Sequence, residues 1–313
     1  MGKSLETGIK IGTRGSKLAL WQANWVKSEI EKKDPSILVE LEIIKTKGDK
    51  ILDVPLAKVG GKGLFVKEIE EALLSGKIDL AVHSMKDMPA EIPDGLCIGA
   101  VPKRENPMDV LIADKGGLLS SFGRGARIGT SSLRRSAQLL YTRPEIEIVP
   151  LRGNLDTRLR KLETENMDGI ILAAAGVKRL NLESRITEYL DMDIMLPAVG
   201  QGALCIETRV NDRFTASLIS LLEDADSRTV VMGERAFSNR LEGGCQVPIA
   251  AYGAVKDHYF SLCGLVADID GKELIRESLD GPEESSEDIG MELAERLLLK
   301  GAKRILDSVK NRN

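Results

Sequence analysis

The chain predicts an α/β protein in which two similar α/β halves face a cleft and a smaller α+β domain follows them. Three observations carry this. Arg127-Ile-Gly-Thr-Ser-Ser-Leu-Arg-Arg-Ser136 repeats the strand, small-residue turn and helix start of Ile11 to Ser16. The helix-plus-strand pattern of Glu70–Met85 returns in Arg160–Ala174. After residue 250, three strand-like runs precede one or two helical patterns, the order of an α+β unit.

Taken in order, Lys10-Ile-Gly-Thr-Arg-Gly-Ser16 reads as a short strand, a glycine turn and a helix start. Leu18, Trp21, Trp25, Val26 and Ile30 then follow near helical spacing, which makes the tryptophans core residues rather than a cofactor box. Ser16 is an N-cap type with Arg14 just ahead of it. The pair is open to two readings, plain capping or an anion site at a helix N-terminus. Ile37 to Ile44 alternates as a strand, and Thr46–Gly63, with its glycines and lysines, reads as a loop. Within it Lys58 and Lys62 are either solvated or part of a lid over an anionic ligand. Phe65, Ile69, Leu73 and Leu74 give a helix over about 63–75, and Ile78–Val82 gives a buried strand. His83, Ser84, Lys86 and Asp87 collect at its C-terminal end, where open α/β sheets bind ligands, although a solvated turn accounts for Lys86 and Asp87 equally.

Strands at Leu96–Val101 and Asp109–Ala113 flank Pro102–Pro107, a first inter-domain crossing, and Pro197–Gly202 is the return. Between Arg124 and Lys161 stand nine basic residues against Glu145, Glu147 and Asp156. Exposed ion pairs, nucleic acid and a polyanionic ligand compete to explain this excess. Nucleic acid wants aromatic stacking platforms, and only Tyr141 falls in the window. Arginine forks suit carboxylates or phosphates, Arg152-Gly-Asn-Leu-Asp-Thr-Arg158 placing two of them at a strand-to-helix turn. A helix over Asp226–Leu241 then delivers Gly243-Gly244-Cys245-Gln-Val-Pro248 ahead of strands at Ala250–Val255, Tyr259–Val266 and Glu273–Leu279 and helices over 284–309. Cys245 is thus either an exposed thiol on a rigid turn or a small buried apolar residue.

Composition bounds the function. With 313 residues the chain has room for two or three domains, and its net charge of −4 provides no global field for nucleic acid. Cys97, Cys205, Cys245 and Cys263 are far apart and lack CxxC or Cys/His spacing, so neither a disulfide framework nor a metal site is expected. The first residues lack a signal-peptide core, and the apolar run Ile170–Val177 is too short to span a bilayer. A cytoplasmic location with reduced thiols is the expectation.

Six stretches in register resemble the porphobilinogen deaminase (hydroxymethylbilane synthase) family: Thr13–Gln22, His83–Pro89, Gly129–Arg135, Arg152–Arg158, Leu196–Gly202 and the loop from Glu234-Arg235 to Pro248. The resemblance implies two periplasmic-binding-protein (type II)-like α/β domains around a cleft plus a small α+β C-terminal domain, divided as 1–101 plus 199–219, 102–198 and 220–313. It implies a dipyrromethane cofactor joined by a thioether to Cys245. Four porphobilinogen molecules are added to that primer with loss of ammonia, and hydroxymethylbilane is released, a step of tetrapyrrole and heme biosynthesis. By motif position, Ser84, Lys86, Thr130, Ser131, Ser132, Arg134, Arg135, Arg158 and Arg179 would hold the cofactor. Arg14, Ser16, Gln22, Lys58, Lys62, Phe65, Arg152 and Gln201 would hold substrate. Losing ammonia leaves a positively charged azafulvene, and Asp87 is the anion that would stabilise it. The expected protein is a monomer that takes porphobilinogen and binds neither nucleic acid nor membrane. The rivals are a cytosolic anion-binding protein without catalysis, which explains no Gly-Gly-Cys domain, and a thiol hydrolase, for which neither His83 nor His258 sits as a base.

Overall fold

The computed structural model describes residues 8–50, 66–242 and 247–310. These fall into two compact units, the first within Met1–Asp53, Gly61–Arg104 and Ala203–Arg228, the second within Glu105–Gly202 and Thr229–Asn313.

In the first unit, β1 (Gly8–Thr13) leads into α1 (Lys17–Lys33), whose N-cap Ser16 accepts from the Ala19 amide at 3.3 Å. Gln22, Ala23, Val26 and Ile30 form its buried stripe, and Lys32 and Lys33 close its last turn, where the helix dipole favours cations. Trp21 and Trp25 are half-buried, Trp25 against the core that α1 shares with β1 and β3. β2 (Leu38–Ile43) follows, and the predicted loop opens with a helical turn at Lys47–Lys50 before leaving the described residues. α2 (Lys67–Leu74) is shorter than the predicted 63–75 and ends where Gly76 takes φ +72°. β3 (Leu80–Ser84) lies two residues later than Ile78–Val82, because its pairing partner fixes the register, and β4 (Leu96–Ala100) completes the segment.

β5 (Asp109–Ala113), β6 (Arg127–Gly129), α3 (Leu133–Thr142), β7 (Glu147–Val149), α4 (Leu155–Thr164), β8 (Gly169–Ala173), α5 (Ala174–Arg179) and β9 (Glu188–Tyr189) belong to the second unit. β10 (Leu204–Arg209) and α6 (Arg213–Ile219) return to the first. The two sheets follow one plan. Their orders are β2-β1-β3-β10-β4 and β7-β6-β8-β5-β9, each with three parallel strands and then an antiparallel one. These are the two similar α/β halves that the repeated strand-turn-helix stretches predict. β7 is the strand expected ahead of the Arg152–Arg158 turn, whereas β9, β10 and α6 were not expected from the sequence.

α7 (Ala225–Arg240) precedes the meander β11 (Ile249–Lys256), β12 (Tyr259–Ala267) and β13 (Leu274–Pro282). α8 (Ser286–Leu297) and α9 (Lys303–Lys310) follow, parted at Gly301 with φ +105°. Phe237, Phe260, Leu293, Leu297 and Ile305 make the core of this α+β part. α7 and α8 approach so closely that a Cβ on Gly290 would lie 2.3 Å from the Gly233 carbonyl oxygen.

Candidate functional site

Parallel strands end on the same edge of their sheet, so each unit gathers the residues that follow its parallel strands. In the first unit β1 runs into Arg14 and Ser16, and β3 into Ser84, Lys86 and Asp87. Met85–Asp87 is a 3₁₀ turn, closed by the Met88 amide on the Met85 carbonyl at 3.1 Å and pinned by the Met85 amide on Ala203 at 3.0 Å. Asp87 is exposed, and Lys86 is half-buried. Gln22 is buried and donates through Nε2 to Ser84 Oγ at 2.9 Å, stitching α1 to the end of β3. Ser16 is engaged as a cap, and Arg14 beside it is half-buried.

Behind this edge lies a buried acidic cluster absent from the sequence reading. Alternation along β3 sends Leu80, Val82 and Ser84 toward α1, and Ala81 and His83 toward α2. On that second face His83 Nε2 meets Glu207 Oε2 at 3.0 Å, so the histidine is a satisfied core residue. Glu70 of α2 joins them, and burial together with the Glu207 charge raises its carboxyl to about 6, with His83 opposing the rise. Glu70 Oε1 and Glu207 Oε1 are buried and have no hydrogen-bond partner among the described residues.

In the second unit β6 runs into Thr130, Ser131 and Ser132. Ser132 caps α3, accepting from the Arg135 amide at 3.4 Å, while Ser131 Oγ accepts from the Leu151 amide at 2.9 Å. β7 leads to half-buried Arg152 and to Asn154, the cap of α4, and Arg158 Nε donates to the Gly153 carbonyl at 2.8 Å. At the end of α5, buried Arg179 donates to the Gly202 carbonyl at 2.7 Å, and burial lowers its pKa to about 10, offset in part by Glu105.

Arg134 and Arg135 differ from the open anion-binding forks expected of them. Both are buried against Asp109, the first residue of β5, which pairs opposite Ala173 at the sheet edge. Arg135 donates through Nε and Nη2 to Asp109 Oδ1 at 3.0 and 2.7 Å and through Nη1 to the Ile171 carbonyl at 2.9 Å. Arg134 uses Nη1 alone, toward Asp109 Oδ2 at 2.7 Å and the Leu196 carbonyl at 2.6 Å. Gln201 is buried and donates to the Pro107 carbonyl at 2.6 Å and to Asp109 Oδ1 at 3.1 Å. Burial works to raise the Asp109 carboxyl, but the two guanidiniums overcome it and hold the group at about 2.

The remaining basic excess is dispersed. Arg143 ties Glu145 to the Leu119 and Phe122 carbonyls, Arg127 holds the Glu165 and Asn166 carbonyls, and Arg124 and Arg160 are exposed. In the C-terminal part, Glu234 accepts from the Gly200 and Gly253 amides at 2.6 and 2.8 Å. α7 stops at Arg240, Glu242 takes φ +52°, and the chain re-enters at Val247. The expectations for Lys58, Lys62, Phe65 and Cys245 lie outside the described residues.

The fold and these edges define an α/β protein of two similarly built sheets, with a guanidinium excess on one unit and an exposed aspartate on the other. Comparison with known proteins is specific. Residues 9–217 match the family model "Porphobilinogen deaminase, dipyromethane cofactor binding domain", and residues 229–299 match "Porphobilinogen deaminase, C-terminal domain". The porphobilinogen deaminase of Syntrophotalea carbinolica is 58% identical over 300 residues, covering 96% of this chain and 95% of the relative. That of Pelobacter propionicus is 54% identical over 304 residues, covering 97% and 98%. Among solved structures, the methionine-binding protein MetQ covers 69% of this chain and 89% of its own at 14% identity, with a TM-score of 0.43. The chain belongs to the porphobilinogen deaminase family.

Proposed function

We propose that this protein is a hydroxymethylbilane synthase that condenses four porphobilinogen molecules, with loss of ammonia, on a dipyrromethane primer held by a thioether to Cys245. The family match over 9–217 and 229–299 is the observation that carries this reading. Three domains, 1–101 plus 199–219, 102–198 and 220–313, divide the work in it, and the protein is a cytoplasmic monomer without nucleic-acid or membrane partners. No helix among the described residues is long and apolar enough to cross a membrane.

The residues present suit the primer. Pyrroles bearing acetate and propionate need fixed cations, and Arg134 keeps Nε and Nη2 unbonded among the described residues. When bound, the primer supplies the terminal pyrrole carbon to which each new ring is joined. Arg134, Arg135, Arg158, Arg179 and Lys86 hold its carboxylates, and Ser84, Thr130, Ser131 and Ser132 add hydroxyl and amide donors at the strand ends. Arg14, Ser16, Gln22, Lys58, Lys62, Phe65, Arg152 and Gln201 serve the incoming substrate. Asp87, on a pinned turn, accepts from pyrrole N–H and stabilises the positive charge left when ammonia departs.

Intact mass tests the reading. The purified chain is expected to exceed its sequence mass by two pyrrole units, and Cys245→Ser to lack that excess. Tetrapyrrole synthesis by a chain of bare sequence mass, with no primer added, would refute it.

A further inference from the structure

A cavity of about 250 Å³ lies inside the second unit, between α3 and the meander. Leu265 of β12, Leu274 of β13 and Ile194 give it apolar walls, and the exposed ring of Tyr141 borders it. The polar groups contributed by α3 are already spent. Gln138 Oε1 accepts from the Leu196 amide at 2.7 Å, and its Nε2 donates to the Leu196 and Arg134 carbonyls at 3.1 and 3.2 Å. Thr142 Oγ1 donates to the Gln138 carbonyl at 3.0 Å. What stays open is cationic. Arg276 donates through Nε to Cys263 Sγ at 3.1 Å and through Nη1 to the Met192 carbonyl at 3.3 Å, while Nη2 bonds none of the described residues. Its acidic neighbour, Asp193, lies 3.2 Å from Nη1 with a side chain that is 89% exposed. An ion pair so far into solvent is weak and yields to a better-buried carboxylate.

The geometry points to a binding site for a small aromatic monocarboxylate, whose ring lies against Leu265, Leu274 and Ile194 and whose carboxylate takes the Nη2 edge of Arg276. Size and charge set the class. The volume exceeds what one or two waters fill and falls just short of the usual range for larger ligands. One open guanidinium edge provides for one carboxylate. None of these side chains serves the primer or the substrate, so the site goes beyond the function proposed above and survives its failure. A purely structural reading differs: there Arg276 only clasps β13 to the turn at Met192, and the cavity is a packing gap that takes up no solute.

The test is calorimetric titration of the holoenzyme with phenylacetate, and with phenethylamine as a similar ring bearing the opposite charge. Phenylacetate is expected to saturate one site with a Kd on the order of 1 mM, the strength open to a ligand of about ten heavy atoms. Phenethylamine should bind at least about tenfold more weakly. Arg276→Met, which removes the guanidinium, and Leu274→Trp, which fills the cavity, should each weaken phenylacetate at least about tenfold. Arg152→Leu, at the proposed substrate edge, should leave the affinity unchanged. Absence of saturable binding, equal affinity for the two probes, or a loss confined to Arg152→Leu overturns the inference. If one cavity variant fails to fold, the other decides, and if both fail, the two probes on the wild type and on Arg152→Leu decide.

Discussion

Replacing Glu70 by glutamine should stabilise the first unit at neutral pH and abolish part of its pH dependence. Glu70 is 7% exposed on α2, facing Glu207 and His83, and its folded-state carboxyl sits at about 6 against an ordinary 4.5. An acid whose pKa is raised by folding binds its proton more tightly in the native state. Between 4.5 and about 6 the native state then carries more protons than the unfolded chain, and stability falls as pH rises through that window. The full rise corresponds to about 2 kcal/mol, and solvent reaching part of the carboxyl reduces this to roughly 1 kcal/mol. Glutamine has nearly the same shape, cannot ionise, and offers an N–H to the buried Glu207 Oε1. Both tryptophans of the chain lie on α1 in the first unit, so urea unfolding followed by their fluorescence reports this unit alone. From pH 4.5 to 7.5 the wild type should lose about 1 kcal/mol more than Glu70→Gln does, and above pH 6 the variant should be the more stable protein. Parallel curves for the two proteins would show that the cluster takes up no proton.

Asp87→Asn should retain the primer mass and the fold while turnover drops about 10²–10³-fold, the usual scale for losing one electrostatic stabiliser, and near-normal turnover removes Asp87 from the chemistry. Gly290→Ala should cost about 1–3 kcal/mol, because the new methyl would press on the α7 backbone at Gly233 and Phe237 and on the Ala236 methyl. A urea midpoint unchanged from wild type in that variant would mean that α7 and α8 separate freely.

Local chemistry was legible and long-range pairing was not. Ser16, Ser132 and Asn154 cap their helices within a few residues, so the strand-turn-helix repeats could be read directly. Leu204–Arg209 offers no such signal: its buried Glu207 and Thr208 break the apolar run, and only its place between β3 and β4 makes it a strand. The same holds at the site. Asp109 stands at the head of an otherwise apolar strand, and nothing nearby in the chain announces partners 25 and 26 residues away. Arg134 and Arg135 therefore read as an open fork until the fold supplied their counter-ion. A buried acid at the start of Asp-Val-Leu-Ile-Ala was the available clue, since such a group needs a partner.

The position of β10 has a consequence for synthesis on the ribosome. β4 is complete at Ala100, yet its neighbour in the sheet is a strand that emerges only at Leu204–Arg209. Throughout translation of the intervening residues, β3 and β4 expose unpaired edges, the condition under which nascent chains associate with one another. A ribosome stalled between the two segments would thus release a sticky fragment, whereas a circular permutant that begins near residue 203 would deliver β10 first and close that sheet as it is made.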